Sequence, residues 1–523
     1  MQTGSTSAQH AIITTPQADA TEAGFEILKE GGTAIDALIA AGAMLCVTSP
    51  HMVGIGGDAL WMLDDHSLPS TIVGIGQAGQ SLPPSGRIHK RGEESIATTA
   101  AAMASWHTAY QISKNRWHSK IPWSRLLAPA IEKARVGFTV TDSQLFWQAQ
   151  RRELIAASSD LLALTSNNDG SPLSLGDTLR LPALADSLES LSRHGAQSFY
   201  TGELGEALSA GFAKRNVCLT AKDLSLTIAP ERPPISIAYR QGRLFNVEPP
   251  CQGITTLQAM TMLNQFAIEP LNNTPAYYHL MVEAIKNALK YRNRSLCDPV
   301  FSPLDSRAWL EHAQQQAKAI NPAQAAPWTD EANPADTAWI AAIDSEGRGA
   351  SLIQSLYFDW GSACTIGDTG ILWHNRAAGF SNNPSHPNAW APGKRPAHTL
   401  NPSLYVADNG DRTLFGSQGG DGQPQTQTVL ATQLIDFGQS LSDTLHAPRF
   451  LLGRSFFDSI DNLKVEAHLD AAIVKELSRL GHDIEVIPAL SPLAGLAGVA
   501  RIYQDGRKEA MHDPRGKSLT KGF

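Results

Sequence analysis

The run Ala332-Asn-Pro-Ala-Asp336-Thr337-Ala-Trp-Ile-Ala-Ala-Ile-Asp344-Ser-Glu-Gly-Arg348-Gly349-Ala-Ser-Leu-Ile-Gln-Ser355-Leu changes character at one bond. Before Thr337 the chain is polar and rich in Ala, Gln and Pro from residue 302 onward, which predicts an exposed linker. From Thr337 the pattern predicts a buried strand to Asp344, a turn at Ser345-Glu-Gly-Arg348, and a second strand from Gly349. A loose segment thus stops at a Thr that opens a buried hairpin.

A threonine hydroxyl is not ionised near neutrality and needs a base to act as a nucleophile. A Thr at a chain start carries one, because its own α-amine titrates at about 7.7–8.0. An internal Thr acquires that amine only when the bond before it is cut. The Thr337 hydroxyl can make this cut by attacking the Asp336 carbonyl, with an ester formed by N-to-O acyl shift and then hydrolysed. Asp336 and Thr337 are therefore the expected processing site. On local sequence alone, an ordinary Thr at a strand start is the stronger reading.

Outward from the hairpin, residues 19–48 predict two helices broken at Gly31-Gly32, and Gly54-Ile-Gly-Gly-Asp58 predicts a glycine turn feeding an apolar strand. Residues 123–135, 146–163, 183–194 and 274–292 predict amphipathic helices, and segments near 240–247 and 403–408 predict strands. The chain has 523 residues, 42% hydrophobic and 18% charged, enough for a large core and against global disorder. With a net charge of −8 and no basic tract, nucleic acid is not an expected partner. No apolar run reaches spanning length, so no membrane is expected, and the polar start Met1-Gln-Thr-Gly-Ser lacks a signal-peptide pattern. The expected location is cytoplasmic.

Five scattered cysteines (Cys46, Cys218, Cys251, Cys297, Cys364) form no CxxC pair and read as reduced thiols. The sixteen histidines are dispersed, and Walker, HExxH and GxSxG motifs are absent. Gly54-Ile-Gly-Gly lacks dinucleotide-fingerprint spacing. No metal and no cofactor are expected.

The chain resembles the gamma-glutamyltransferase family of N-terminal nucleophile hydrolases almost end to end. The resemblance rests on Gly31-Gly32-Thr-Ala-Ile-Asp-Ala, Gly54-Ile-Gly-Gly-Asp58, Asp336 to Asp344, Gly361, Gly370-Ile-Leu-Trp-His-Asn375 and Phe380-Ser381. It continues through Pro392-Gly-Lys-Arg-Pro396, Asn401-Pro402, Gly416-Ser-Gln-Gly-Gly420 and Ala447-Pro448-Arg449. The resemblance implies an α+β, four-layer αββα sandwich. It implies a large fragment, 1–336, and a small fragment, 337–523, that stay together, with a homo- or heterotetramer of fragments as a further assembly. By position it implies Thr337 as nucleophile, Ser355 as a hydroxyl assisting processing, and Gly419 with Gly420 as the oxyanion hole. The last pair also reads as an ordinary turn.

The departures from the family concern the substrate. The transpeptidases hold a glutamyl ammonium and carboxylate with an Asn, a Gln, an Asp and two Ser. Those positions here are Tyr357, Arg376, Gly379 and His398-Thr399. A carboxylate is lost and a guanidinium, suited to bidentate carboxylate capture, is gained. The connection from Phe380 to Lys394 is short for the transpeptidase lid. One branch of the family hydrolyses oxamate to oxalate and ammonia, and the substitutions point to such a small anionic amide, bound by Arg376 with His398, Thr399 and Tyr357. The alternative for Arg376 is a pairing with a structural acid. Arg87 is a further candidate, in the loop where the family keeps a carboxylate-binding arginine, with Lys90-Arg91 close behind; a solvated loop arginine is the alternative. Two other functions stay open: a gamma-glutamyl hydrolase or transpeptidase, and an unprocessed, non-catalytic binding protein.

Overall fold

A computed structural model describes residues 4–167, 169–455 and 459–523. Two seven-stranded sheets lie face to face. The first runs Thr6–Ala8, Lys508–His512, Ala497–Ile502, Arg412–Ser417, Ser403–Ala407, Gly242–Asn246, Ile235–Ala238. The second runs Leu519–Gly522, Ile12–Thr15, Asp336–Ile343, Gly349–Tyr357, Asp58–Asp64, Ser70–Gly74, Glu231–Arg232. Helices Ala18–Lys29, Ala34–Thr48 and Ala102–Asn115 cover the second sheet, and Gly253–Leu263, Pro275–Ser295 and Gln423–Ala431 cover the first. This is the expected αββα sandwich.

The hairpin occupies the middle of the second sheet, and side-chain alternation sends its residues into two cores. Trp339, Ala341 and Ile343 face the other sheet, whereas Ala338, Ile340 and Ala342 face the helices. Trp339 needs glycine opposite it: a Cβ at Gly416 or at Gly498 would stand 2.2 Å from its indole. The same alternation turns Thr337 toward the inter-sheet space and Asp336 toward the helix side. Pairing slips between Asp336 and Ala338, so Ser355 and Leu356 together oppose Thr337.

The break at Gly31-Gly32 is as expected, and a reciprocal cap starts the next helix: Thr33 Oγ1 accepts from the Asp36 N–H (3.2 Å) and Asp36 Oδ2 from the Thr33 N–H (3.0 Å). Two expectations are corrected. Residues 146–163 are not one helix but fall across three, Asp142–Gln150, Arg152–Ala156 and Ser159–Thr165. The 302–336 segment is not a linker throughout, because Ser306–Ala317 is a helix and the chain returns to the interior at Ala332. Between them, residues 318–331 are largely exposed, as expected. Among the described residues no helix is long and apolar enough to cross a membrane. Cys46, Cys251, Cys297 and Cys364 are buried and Cys218 partly so, all free.

Candidate active site

The site lies where the inter-sheet space opens at the start of the hairpin. Thr337 is fully buried and its hydroxyl has no hydrogen-bond partner among the described residues. Ser355 Oγ donates to the Asp336 carbonyl oxygen at 2.5 Å. The Tyr357 N–H donates to the same Oγ at 2.7 Å, which leaves the serine proton free to point at the carbonyl. Tyr357 reaches this position with φ of 77°, a conformation that costs a bulky residue on the order of 1–3 kcal/mol. A carbonyl polarised by a hydroxyl thus sits beside a buried, uncommitted hydroxyl.

Gly419 (φ 117°) and Gly420 (φ 52°) adopt left-handed backbone at the turn after Ser417. Neither N–H donates to a backbone carbonyl among the described residues. A Cβ at Gly420 would stand 2.7 Å from the Ala335 nitrogen, so the turn presses directly on the residues preceding the bond. Gln252 Nε2 staples the turn to the next wall, donating to Gly420 O and to Thr399 O at 2.7 Å each. Arg292 pairs with Asp421 at 2.6 Å, and Asp421 in turn accepts from the Asn333 N–H at 2.8 Å.

Arg376 is buried, its guanidinium 3.6 Å from the centre of the Tyr357 ring. Its Nη2 donates to Thr399 Oγ1 at 3.2 Å, while Nε and Nη1 have no partner. Burial lowers its pKa, opposed by Tyr357 and by the charge of Asp58. Among the described residues no ion pair involves Arg376, so the structural-acid alternative lacks its acid. A Cβ at Gly379 would stand 3.9 Å from Arg376 Cδ, so an acid at that position would lie against the guanidinium.

His398 is held from both ring nitrogens. Its Nδ1 accepts from the Leu400 N–H (3.3 Å), which leaves the Nε2 proton directed at Asp58 Oδ2 (3.1 Å). Burial first, and then Arg376, push its pKa down to about 4, so the ring is neutral. Asp58 was legible only as the end of a glycine turn. Its Oδ1 accepts from the Gly76 and Ala101 N–H groups (2.9 and 3.1 Å), and its Oδ2 lies 3.6 Å from His374 Nδ1. Burial opposes its ionisation but is outweighed by His374, His398 and Arg376 together, which hold its pKa below the usual value.

Arg87, the further candidate, is exposed on its loop. The arginine that reaches inward is Arg91, which bonds the Gly361 carbonyl at 2.6 Å and lies 3.3 Å from Asp359. Arg151 binds the same carboxylate at 2.7 and 3.1 Å. Asp336 projects toward this group with Oδ2 unpartnered, and burial, reinforced by Asp359, raises its pKa well above the ordinary carboxylate range.

The family model described as gamma-glutamyltranspeptidase matches residues 20–523. The oxamate amidohydrolase proenzyme of Klebsiella pneumoniae is 36% identical, with 98% of each chain covered. The glutathione hydrolase-like YwrD proenzyme of Bacillus subtilis is 31% identical, again over 98% of each. The crystal structure of cephalosporin acylase from Bacillus halodurans superposes with a TM-score of 0.90 at 28% identity, covering 100% of this chain and 97% of that one. Fold and relatives together define an amide-bond hydrolase of the N-terminal nucleophile class. Within that class the chain belongs to the gamma-glutamyltranspeptidase family.

Proposed function

We propose that this protein cuts itself between Asp336 and Thr337 and then hydrolyses a small anionic amide, with oxamate as its substrate. The observation that carries the substrate is Arg376, a buried guanidinium with two unpartnered N–H groups and no acidic partner. Leaving such donors unmet costs on the order of 1–3 kcal/mol, and a carboxylate across the Nη1–Nη2 end of the fork would satisfy Nη1 while sharing Nη2 with Thr399. The glycine at 379 leaves a glutamyl ammonium without a carboxylate there. The 36% identity to an oxamate amidohydrolase proenzyme supports the same reading.

In processing, the Thr337 hydroxyl attacks the Asp336 carbonyl, polarised by Ser355, and water hydrolyses the resulting ester. The cut frees the Thr337 amine as the base for catalysis. Arg376 and Thr399 hold the substrate carboxylate beneath Tyr357. The Thr337 hydroxyl attacks the amide, Gly419 and Gly420 N–H groups meet the oxyanion, ammonia leaves, and water releases oxalate.

Steady-state ammonia release from oxamate by Arg376→Ala and Arg376→Lys tests this, with fragment formation on a denaturing gel as the folding control. The expected result is normal processing with KM raised at least tenfold in both, since lysine restores charge but not the fork. Processed Arg376→Ala with unchanged KM would overturn the substrate assignment.

A further inference from the structure

A cavity of about 760 Å³ borders Ala335 and Asp336 on one side and Gly419 on the other, so it flanks the carbonyl under attack. Arg376 and Thr399 do not line it. The carboxylate anchor thus stands outside the open space. Departing ammonia needs about the space of one water, on the order of 10–15 Å³. A cavity of 760 Å³ is sized for an organic group of many atoms.

Its wall identifies the chemistry of that group. Phe146, Trp147, Leu451 and Leu493 supply apolar surface. The cations on the wall each meet a partner within the protein: Arg515 binds Glu466 (2.8 Å) and Asp513 (3.2 Å), Lys517 pairs with Asp142, and Arg454 lies 3.4 Å from Asn333 Oδ1 and 3.9 Å from Glu331. The segment 332–336 lines the cavity without filling it. Its withdrawal after cleavage would join the cavity to Thr337.

We propose that this cavity receives the amine half of an N-substituted oxamate, an aryl or alkyl group, so that the substrate class is wider than oxamate. The proposal rests on the reading of Arg376 as the carboxylate anchor. In the reaction the amide C–N bond breaks and a C–O bond to Thr337 Oγ1 forms. The hydroxyl proton passes through the Thr337 amine to the departing nitrogen. The arylamine or alkylamine departs at that step, and water then cleaves the oxalyl ester to oxalate.

The test compares oxamate with oxanilate (N-phenyloxamate) on the fully processed wild-type protein, following ammonia and aniline. The expected kcat/KM for oxanilate is at least tenfold above that for oxamate. In Leu493→Trp, which narrows the cavity, the ratio of the two falls at least tenfold. Turnover of oxamate without turnover of oxanilate overturns the inference, assigns the cavity to the cut precursor segment, and leaves the oxamate reading standing. Processed protein that hydrolyses neither overturns both.

Discussion

At the scale of single residues, Asp336 is the group whose surroundings cleavage changes most. Its carboxyl is buried beside Asp359, with Arg91 and Arg151 already engaged by that neighbour. Burial and Asp359 keep it protonated where an unfolded Asp, with a pKa near 3.9, has ionised. The folded precursor therefore binds more protons, and its stability falls as pH rises above about 4. In urea titrations of the uncut Thr337→Ala protein, adding Asp336→Asn should give a stability advantage that grows as pH rises above about 4, by up to about 1.4 kcal/mol per unit. A pH-independent difference would contradict a neutral Asp336. Thr337, Ser355, Arg376 and the two glycines were named by position from the family resemblance. Arg91 and Asp58 were not. Which of several loop arginines turns inward depends on Asp359, 268 residues further on, and Asp58 gains meaning only from His398 across the other sheet.

At the scale of elements, the polar segment before the site contains more order than its composition implies. Asp305 caps the helix Ser306–Ala317, accepting from the Arg307 and Ala308 N–H groups at 2.9 and 3.0 Å. Trp309 anchors it, nearly fully buried, with Nε1 donating to Gln258 at 2.6 Å. The apolar stripe is only a few residues wide, which is why Ala and Gln dominate the sequence and hide the period. Trp309→Ala should cost about 3–5 kcal/mol in urea unfolding. A change below 1 kcal/mol would mean the helix is only lightly held. Beyond it, one face of Pro275–Ser295 clips the returning chain turn by turn. His279 Nε2 meets Asn321 O (2.8 Å), Lys286 meets Ala326 O (2.6 Å), Lys290 meets Pro327 O (2.8 Å) and Asn293 meets Glu331 O (2.9 Å). His279, Glu283 and His482 have metal-ligand proximity, yet His279 bonds His482 (2.9 Å) and Glu283 bonds Lys286 (2.8 Å). The residues before the bond are thus delivered from a fixed point to the turn at Gly420.

At the scale of the molecule, the proposed cleavage point falls inside a sheet rather than between domains. In the second sheet, residues 337–523 supply the two hairpin strands and Leu519–Gly522, while Ile12–Thr15, Asp58–Asp64, Ser70–Gly74 and Glu231–Arg232 come from before the cut. The first sheet is mixed in the same way. Cutting one bond leaves this interleaved core intact, so processed protein should elute in size exclusion at the volume of the uncut Thr337→Ala protein. Fragments that separate without denaturant would contradict the shared core. The hairpin was legible because its own alternation writes it. Its strand partners, Ile12–Thr15 and Asp58–Asp64, lie roughly three hundred residues away in the chain, so local alternation could not name the pairing, and the resemblance supplied only the sandwich.

Intact mass spectrometry of the denatured protein, beside a Thr337→Ala control, tests self-cleavage most directly. The account predicts two fragments from the wild type that meet between Asp336 and Thr337, and one uncut chain from the control. A single uncut chain in both would leave Thr337 without its amine and contradict the account.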